Sequence, residues 1–454
     1  MSCFFDCDIL KYVTGLLCSC LGTFFMSIQN PTLNFQVGNL KNVPVLIENQ
    51  GEIEEMVDRC ICLSKEDWDS FETSWDFQLH PLIEYKCGSG YADEEWSYSI
   101  QDAFDSWKFN KEELFKLLKR NEEKLNRIFI DIYGLQDELT PEVADKDITV
   151  YRVFDSKDEV PESMKGSNYI LTKHDVMVSL ISYAVGCMLG RYSLDVPGLA
   201  YAGGEWDESK YKTFIPDADN CIPITDEEYF EDDIVGLFCA WLKKVYGERT
   251  LEENLDFIAD ALGNKGSTSR EVIRNYFLND FIKDHIKTYQ KRPIYWLFDS
   301  GKQNGFKALC YMHRWNADTT GNMRVEYLHR MQRVYEKEIQ RMQEIMDAVE
   351  FSGIHAELTP EQYVHEIANN TDLGRAYKEM LSSGPPLGQL WHIIYMMGGQ
   401  TGETDAAIGI TNNMISVLIQ VENYLDEKYN FLGRESIAQN YMMHIVKQLA
   451  EVYD

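Results

Sequence analysis

The 454-residue sequence predicts a mainly α protein with small β elements, an α+β chain in several parts. Three observations carry that prediction. Apolar residues recur at helical spacing behind cap-like residues in four separate stretches, at Asn110, Thr172, Thr225 and Thr268. One stretch near 293–315 alternates at every second residue instead, the period of a strand. A hydrophobic content of 44%, with 13% aromatics, is enough to bury sizeable cores and excludes a disordered chain.

In chain order, Ile9 to Ile28 is mostly apolar and long enough to cross a bilayer. Asp6 and Asp8 stand where a signal peptide would carry positive charge, Lys11 lies inside it, and Ser19, Gly22 and Thr23 dilute it, so a buried helix is expected and no membrane. Gln29 to Ile47 shifts to loop and strand character, with Asn30-Pro31 and Gly38-Asn39 as turn signals. Glu48 to Ile83 mixes aromatics and acids and reads as an irregular packed region holding Trp68, Phe71, Trp75 and Phe77.

Four helices follow. Asn110 with Glu113 opens the first, whose apolar face from Leu114 to Ile132 ends at Gly134. Thr172 with Asp175 opens a more buried one through Arg191; Thr225 with Glu228 opens a third, and Thr268 with Glu271 a fourth running to about Tyr289. Ile294, Trp296 and Phe298, then Phe306, Ala308, Cys310 and Met312, predict a β-hairpin around a turn at Ser300–Gly305. Beyond Gly321, Leu328, Tyr335, Met342 and Val349 keep heptad spacing on one long helix. The chain restarts past Gly353, and 350–454 is expected to be a separate small helical domain.

Formal net charge is -31, which repels phosphate at long range, so any contact with double-stranded DNA has to be local. The best local candidate is Lys291 to Arg333, where Lys291, Arg292, Lys302, Lys307, Arg314, Arg324, Arg330 and Arg333 outnumber Asp299, Asp318 and Glu326. Arg292, Lys302, Gln303, Lys307, Arg314 and Arg324 are the expected DNA contacts there, since amines and amides address phosphates and base edges. The alternative is that these charges pair with the acidic surface and hold the domain together. His313 and His329 flank the cluster and read as packed or surface residues. Eleven cysteines without framework spacing fit a reducing cytoplasm; Cys18/Cys20 and Cys60/Cys62 read as small buried thiols, with no metal ligand set.

Five blocks resemble the PglX family of BREX phage-defence adenine-specific DNA methyltransferases. They are IQNPTLNFQVG (28–38), FETSWDFQLHPLI (71–83), LNRIFIDIYGLQDELTPEV (125–143), ISYAVGCMLGRYSLD (181–195) and KRPIYWLFDSGKQNGFKALCYMHRW (291–315). The resemblance covers about residues 9–345. It implies an upstream Rossmann-like domain using S-adenosylmethionine, then target recognition, then a helical C-terminal region. On that reading 1–47 is the end of a target-recognition region, 48–349 the helical C-terminal region, and 350–454 carries no assigned role. Asn30, Asn34 and Gln36, on the first block, become further candidate DNA contacts.

The chemistry of the family can be sought in the residues. Adenine N6 methylation uses Asn/Asp-Pro-Pro-aromatic to hold an extruded base. The only Pro-Pro, Pro385-Pro386, is flanked by Gly384 and Leu387. A cofactor loop needs a Gly-rich turn after a buried strand. Gly88-Ser89-Gly90 has no such strand before it, and Gly398-Gly399-Gln400-Thr401-Gly402 follows a helical pattern. The expectation is a non-Rossmann, non-catalytic portion of such an enzyme, with no catalytic, cofactor-binding or metal residue of its own and a methyltransferase half or other BREX proteins as partners. The rival expectation is an acidic interaction module that binds defence-complex proteins without touching DNA.

Overall fold

The computed structural model describes residues 7–29, 37–86, 97–302 and 304–351. The chain divides into two units, Met1–Leu328 and His329–Asp454. The described part of the second is one helix, His329–Phe351, on which Ile339 and Met342 are exposed.

At the N-terminus two helices, α1 (Cys7–Cys18) and α2 (Cys20–Gln29), meet at a 73° bend at Ser19, whose hydroxyl donates to the Leu16 carbonyl at 2.7 Å. Among the described residues no single helix is long and apolar enough to cross a membrane, although this bent pair is by length and composition. Tyr12 and Leu16 of α1 and Leu21 of α2 are buried in a small core. A short helix α3 (Val37–Lys41) stands where strand character was expected.

Glu48 to Ile83 is not irregular: α4 (Gln50–Asp69) occupies most of it. Its buried apolar residues are only Ile53, Met56 and Val57 at 3–4 spacing, and the acidic remainder hides so narrow a face from a hydrophobicity reading. Of the four aromatics there, Phe77 is buried, Phe71 packs on Tyr151, and Trp68 and Trp75 are exposed. A short α5 (Pro81–Glu84) follows, capped by His80.

The longest helix, α6 (Ile100–Tyr133), starts ten residues before Asn110, capped by Ser99. Asn110 is interior to it; Gly134 ends it in the left-handed region at φ 65°, as expected. Its first turns join the main core through Ala103, Phe104 and Trp107, and its last turns join the N-terminal core through Leu125 and Phe129, so one rod connects both.

Strands β1 (Arg152–Phe154) and β2 (Ile170–Thr172) pair in parallel, and β2 runs directly into α7 (Lys173–Met188) through the Thr172–Asp175 capping box that the sequence predicts. Thr225 caps nothing. It follows β3 (Ile222–Ile224), its hydroxyl bonds to the Glu227 carbonyl, and α8 (Ile234–Tyr246) is capped by Asp233. Helix α9 (Leu251–Leu262) precedes α10 (Ser269–Asn279), which Thr268 caps as expected. Asp280 then breaks the predicted helix, and α11 (Phe281–Thr288) completes it.

The predicted hairpin forms as β4 (Tyr295–Asp299) and β5 (Lys307–Tyr311), with β3 as a third antiparallel strand in the order β3-β5-β4. Tyr295, Leu297, Leu309 and Tyr311 join the main core, while Trp296 and Phe298 take the opposite face. β5 is central and buried along its whole length, which is why its sequence is apolar at nearly every position. A short α12 (Thr319–Asn322) and a π turn at Met323–Leu328 lead to α13 (His329–Phe351).

Candidate nucleic-acid interface

The approach to the hairpin is an unusual piece of backbone. Gln290 and Lys291 both have positive φ, 51° and 66°, without being glycine. They close α11: the Lys291 N–H donates to the Ile286 carbonyl at 2.8 Å and the Arg292 N–H to that of Tyr289 at 2.9 Å. Left-handed non-glycine residues cost about 1 kcal/mol or more each. The result is that Lys291 and Arg292 project into solvent at the foot of β4. At the other end, Asp299 accepts from the Gly301 N–H at 2.8 Å and the Ser300 hydroxyl from that of Phe306, a turn chemistry that leaves Lys302 exposed.

Between those ends lies an aromatic group. Trp296 and Trp315 have centroids 5.1 Å apart, and Phe298 stacks on Trp315 at 5.9 Å with 22° between planes. Both indoles stay partly exposed, at 44% and 36%. Cations flanking half-exposed rings is the combination that nucleic-acid surfaces use for phosphates and bases.

The other predicted contacts lie differently. Lys307 is buried, its ammonium donating to the Leu278 carbonyl at 2.6 Å and lying 3.8 Å from Asp299. Arg314 donates to the carbonyls of Leu189, Asp217 and Ala218 and stacks 4.4 Å over Trp206. Lys307 therefore ties the sheet to the end of α10, and Arg314 ties the segment after β5 to the loop after α7. Arg324 is exposed on the π turn. Asn30, Asn34, Gln36 and Gln303 lie outside the described residues, as do Gly88–Gly90, Pro385-Pro386 and the glycines from Gly398.

Two polar clusters escaped the sequence reading. In the first, Asp217, Asp219 and Asp232 bring carboxylate oxygens within 4.8 Å of one another, the one group among the described residues that could hold a cation. Tyr327 donates to Asp219 at 2.9 Å and to Asp232 at 2.5 Å, and the Cys221 N–H donates to Asp217 at 2.9 Å. Burial and then the Asp219 charge push Asp217 up to about 7, so the cluster resists full ionisation. The paired thiols were misjudged as well: Cys18 and Cys62 are exposed, while burial pushes Cys60 up to about 12.

The second cluster surrounds Arg191. Glu72, Arg191, His285, Tyr289 and Tyr295 each carry a buried polar atom without a hydrogen-bond partner. Arg191 reaches it because Gly190, φ 79°, turns the chain just past the end of α7, and because Gly186 lets the Tyr192 ring close against the helix, where a Cβ would collide with it. Ser182 donates to one Glu72 oxygen at 2.5 Å, and the Tyr289 and Tyr192 hydroxyls also act on the carboxylate. Burial raises the Glu72 pKa, opposed by Ser182, Arg191 and the tyrosines. His285 accepts the Ile294 and Tyr295 N–H groups at Nε2, at 3.0 and 3.3 Å, which puts its proton on Nδ1. Burial and the Arg191 charge pull it down to about 4, so it is neutral at pH 7.

The fold and the hairpin define a mainly helical protein with a small basic and aromatic surface on an otherwise acidic chain. No protein-family model matches it. The chain is 43% identical over 337 residues to the adenine-specific methyltransferase PglX of Lacticaseibacillus casei (strain Zhang), covering 74% of this chain and 26% of that protein. It is 37% identical over 335 residues to the adenine-specific methyltransferase BrxX of Escherichia coli O9:H4 (strain HS), covering 70% and 26%. The chain belongs to the BREX-type adenine-specific methyltransferase family and spans about a quarter of the length of these curated relatives.

Proposed function

We propose that this chain is a non-catalytic, C-terminal portion of such a methyltransferase, contributing duplex DNA contact while methyl transfer resides in a separate half. The observation that supports this reading most is the hairpin: Lys291, Arg292 and Lys302 exposed around Trp296 and Trp315, on a chain of net charge -31. A protein so acidic holds duplex only through a local cationic surface. The catalytic half would supply the S-adenosylmethionine site and the base-holding motif, which the sequence reading does not find in this chain.

The test is direct. The full chain retards duplex DNA at low salt without S-adenosylmethionine, and labelled S-adenosylmethionine neither binds to it nor labels adenine-containing DNA. Saturable cofactor binding overturns the non-catalytic assignment. Absence of any DNA binding by a folded chain overturns the contact and favours the acidic interaction module, to which the exposed Trp68 and Trp75 would offer an anchor.

A further inference from the structure

The segment from Trp68 to Gln78 runs from the last turn of α4 to the main core, and the fold pins it at most of its positions. Phe71 packs on Tyr151 with ring centroids 4.8 Å apart, Glu72 turns inward to accept from Ser182, and buried Phe77 meets the Tyr183 and Tyr192 rings at 5.9 and 5.6 Å. The Gly198 N–H donates to the Gln78 carbonyl at 2.7 Å, and the Ser74 N–H to that of Phe71 at 2.9 Å. From this pinned segment two indoles stand in solvent: Trp75 is fully exposed and Trp68 is 58% exposed. A single exposed aromatic is ordinary, but two on one rigid segment present a large apolar area that is already ordered before anything binds.

One cation joins the surroundings of the two indoles. The Lys65 ammonium donates to Asp69 at 2.7 Å and also to Asp76, so it bridges the residues that follow Trp68 and Trp75. The Ser74 hydroxyl donates to the other Asp69 oxygen at 2.6 Å. Lys65 is the only lysine or arginine between positions 65 and 84, and its charge is shared between those two carboxylates. Glu66 and Glu84 are exposed on the same stretch, and the charges of both act on Tyr85. The face is therefore aromatic and negative, and residues 65–84 have no uncommitted cation to offer an anion.

We propose that this face docks a basic segment of a partner protein, whose arginine side chains stack on Trp75 and Trp68 and pair with the carboxylates beside them. Indole is the ring that holds a cation over its face most strongly, and a guanidinium lies flat on it while keeping N–H groups for a carboxylate. Duplex DNA is repelled by the same charges. Docking here is independent of whether Lys291, Arg292 and Lys302 meet duplex.

Calorimetric titration of the full chain with a flexible peptide alternating arginine and serine, and with its lysine counterpart of equal length and charge, tests this. Coulomb attraction to an acidic chain treats the two alike, whereas stacking on indole favours arginine. The arginine peptide is expected to bind about fivefold tighter. Trp68→Ala/Trp75→Ala should weaken it by about tenfold and erase the preference, with the thermal transition unchanged because both rings are exposed. Trp75→Tyr should keep part of the preference. Equal affinity of the two peptides for the unmodified chain, or a preference that survives in the double variant, overturns the proposal. So does concentration-dependent self-association in sedimentation that the double variant lacks, which would assign the face to a second copy of this chain. Loss of duplex retardation in the double variant would also overturn it, by making the face a nucleic-acid surface. Arg292→Ala/Lys302→Ala should leave the preference for arginine unchanged, which separates failure here from failure of the duplex interface.

Discussion

The hairpin and the Arg191 cluster use similar side chains in opposite ways. At the hairpin, cations stand in solvent beside half-exposed indoles, and the fold does not depend on what they touch. In the Arg191 cluster, a carboxylate, a guanidinium, an imidazole and two phenols are buried together, and each keeps a polar atom without a well-formed hydrogen bond, at a cost to the fold. A charge that is free to act is either exposed and cheap or buried and incomplete. Lys307, which is buried, and Arg314, which is half-buried, belong to neither class, because each is held by backbone carbonyls, and such groups hold structure.

That distinction can be broken most forcefully at Arg314. Arg314→Ala removes hydrogen bonds to three backbone carbonyls and the stack on Trp206, and should lower unfolding free energy by roughly 2–4 kcal/mol in a denaturant titration. A change no larger than that of an ordinary surface residue would put Arg314 in the exposed class and restore it as a DNA contact.

Next in size is the response to acid. Burial holds His80 down to about 3 and His285 down to about 4, against an ordinary value near 6.5. The unfolded chain takes up protons below pH ~6.5 while the folded chain does not, so this contribution is full above pH ~6.5 and is lost as pH falls toward 4 and then 3, on the order of a few kcal/mol. Asp217 has the opposite sign: its folded pKa of about 7 makes stability fall as pH rises from ~4 through 7. Urea midpoints from pH 4 to 8 should therefore show a shallower acid decline for His285→Gln and a shallower neutral decline for Asp217→Asn. Slopes equal to those of the unmodified chain would mean these groups are solvated.

The smallest effect on stability belongs to the hairpin surface. Lys302→Ala should shift unfolding by no more than about 0.5 kcal/mol. A larger loss would show that its ammonium, like that of Lys307, is needed inside.

The hairpin was legible because its period is two and its turn is flanked by alternating apolar residues, and the Thr172 and Thr268 caps because each is a local motif. Asn110 and Thr225 show the limit of that logic. Both carry a cap-like pattern, but a helix begins where tertiary packing first covers its apolar face, which for α6 is Ile100, Ala103 and Phe104, ten residues earlier than the pattern. α4 was hidden for the converse reason, a three-residue stripe under an acidic exterior. Which cations face water could not be read at all: Arg292 and Lys307 look alike in sequence, and only the central position of β5 in the sheet decides that one is exposed and the other buried. The Arg191 cluster draws Glu72, Arg191 and His285 from segments about a hundred residues apart, so no spacing announces it.

The central claim is that an acidic chain touches duplex through this one surface, and the salt dependence of binding tests it most directly. Association constants for one duplex should be measured across salt concentrations for the full chain and for Arg292→Ala/Lys302→Ala. The account predicts a linear fall of log K with log salt and a slope shallower by about two in the variant, one for each phosphate contact removed. Identical slopes for the two proteins, with both folded, would contradict it.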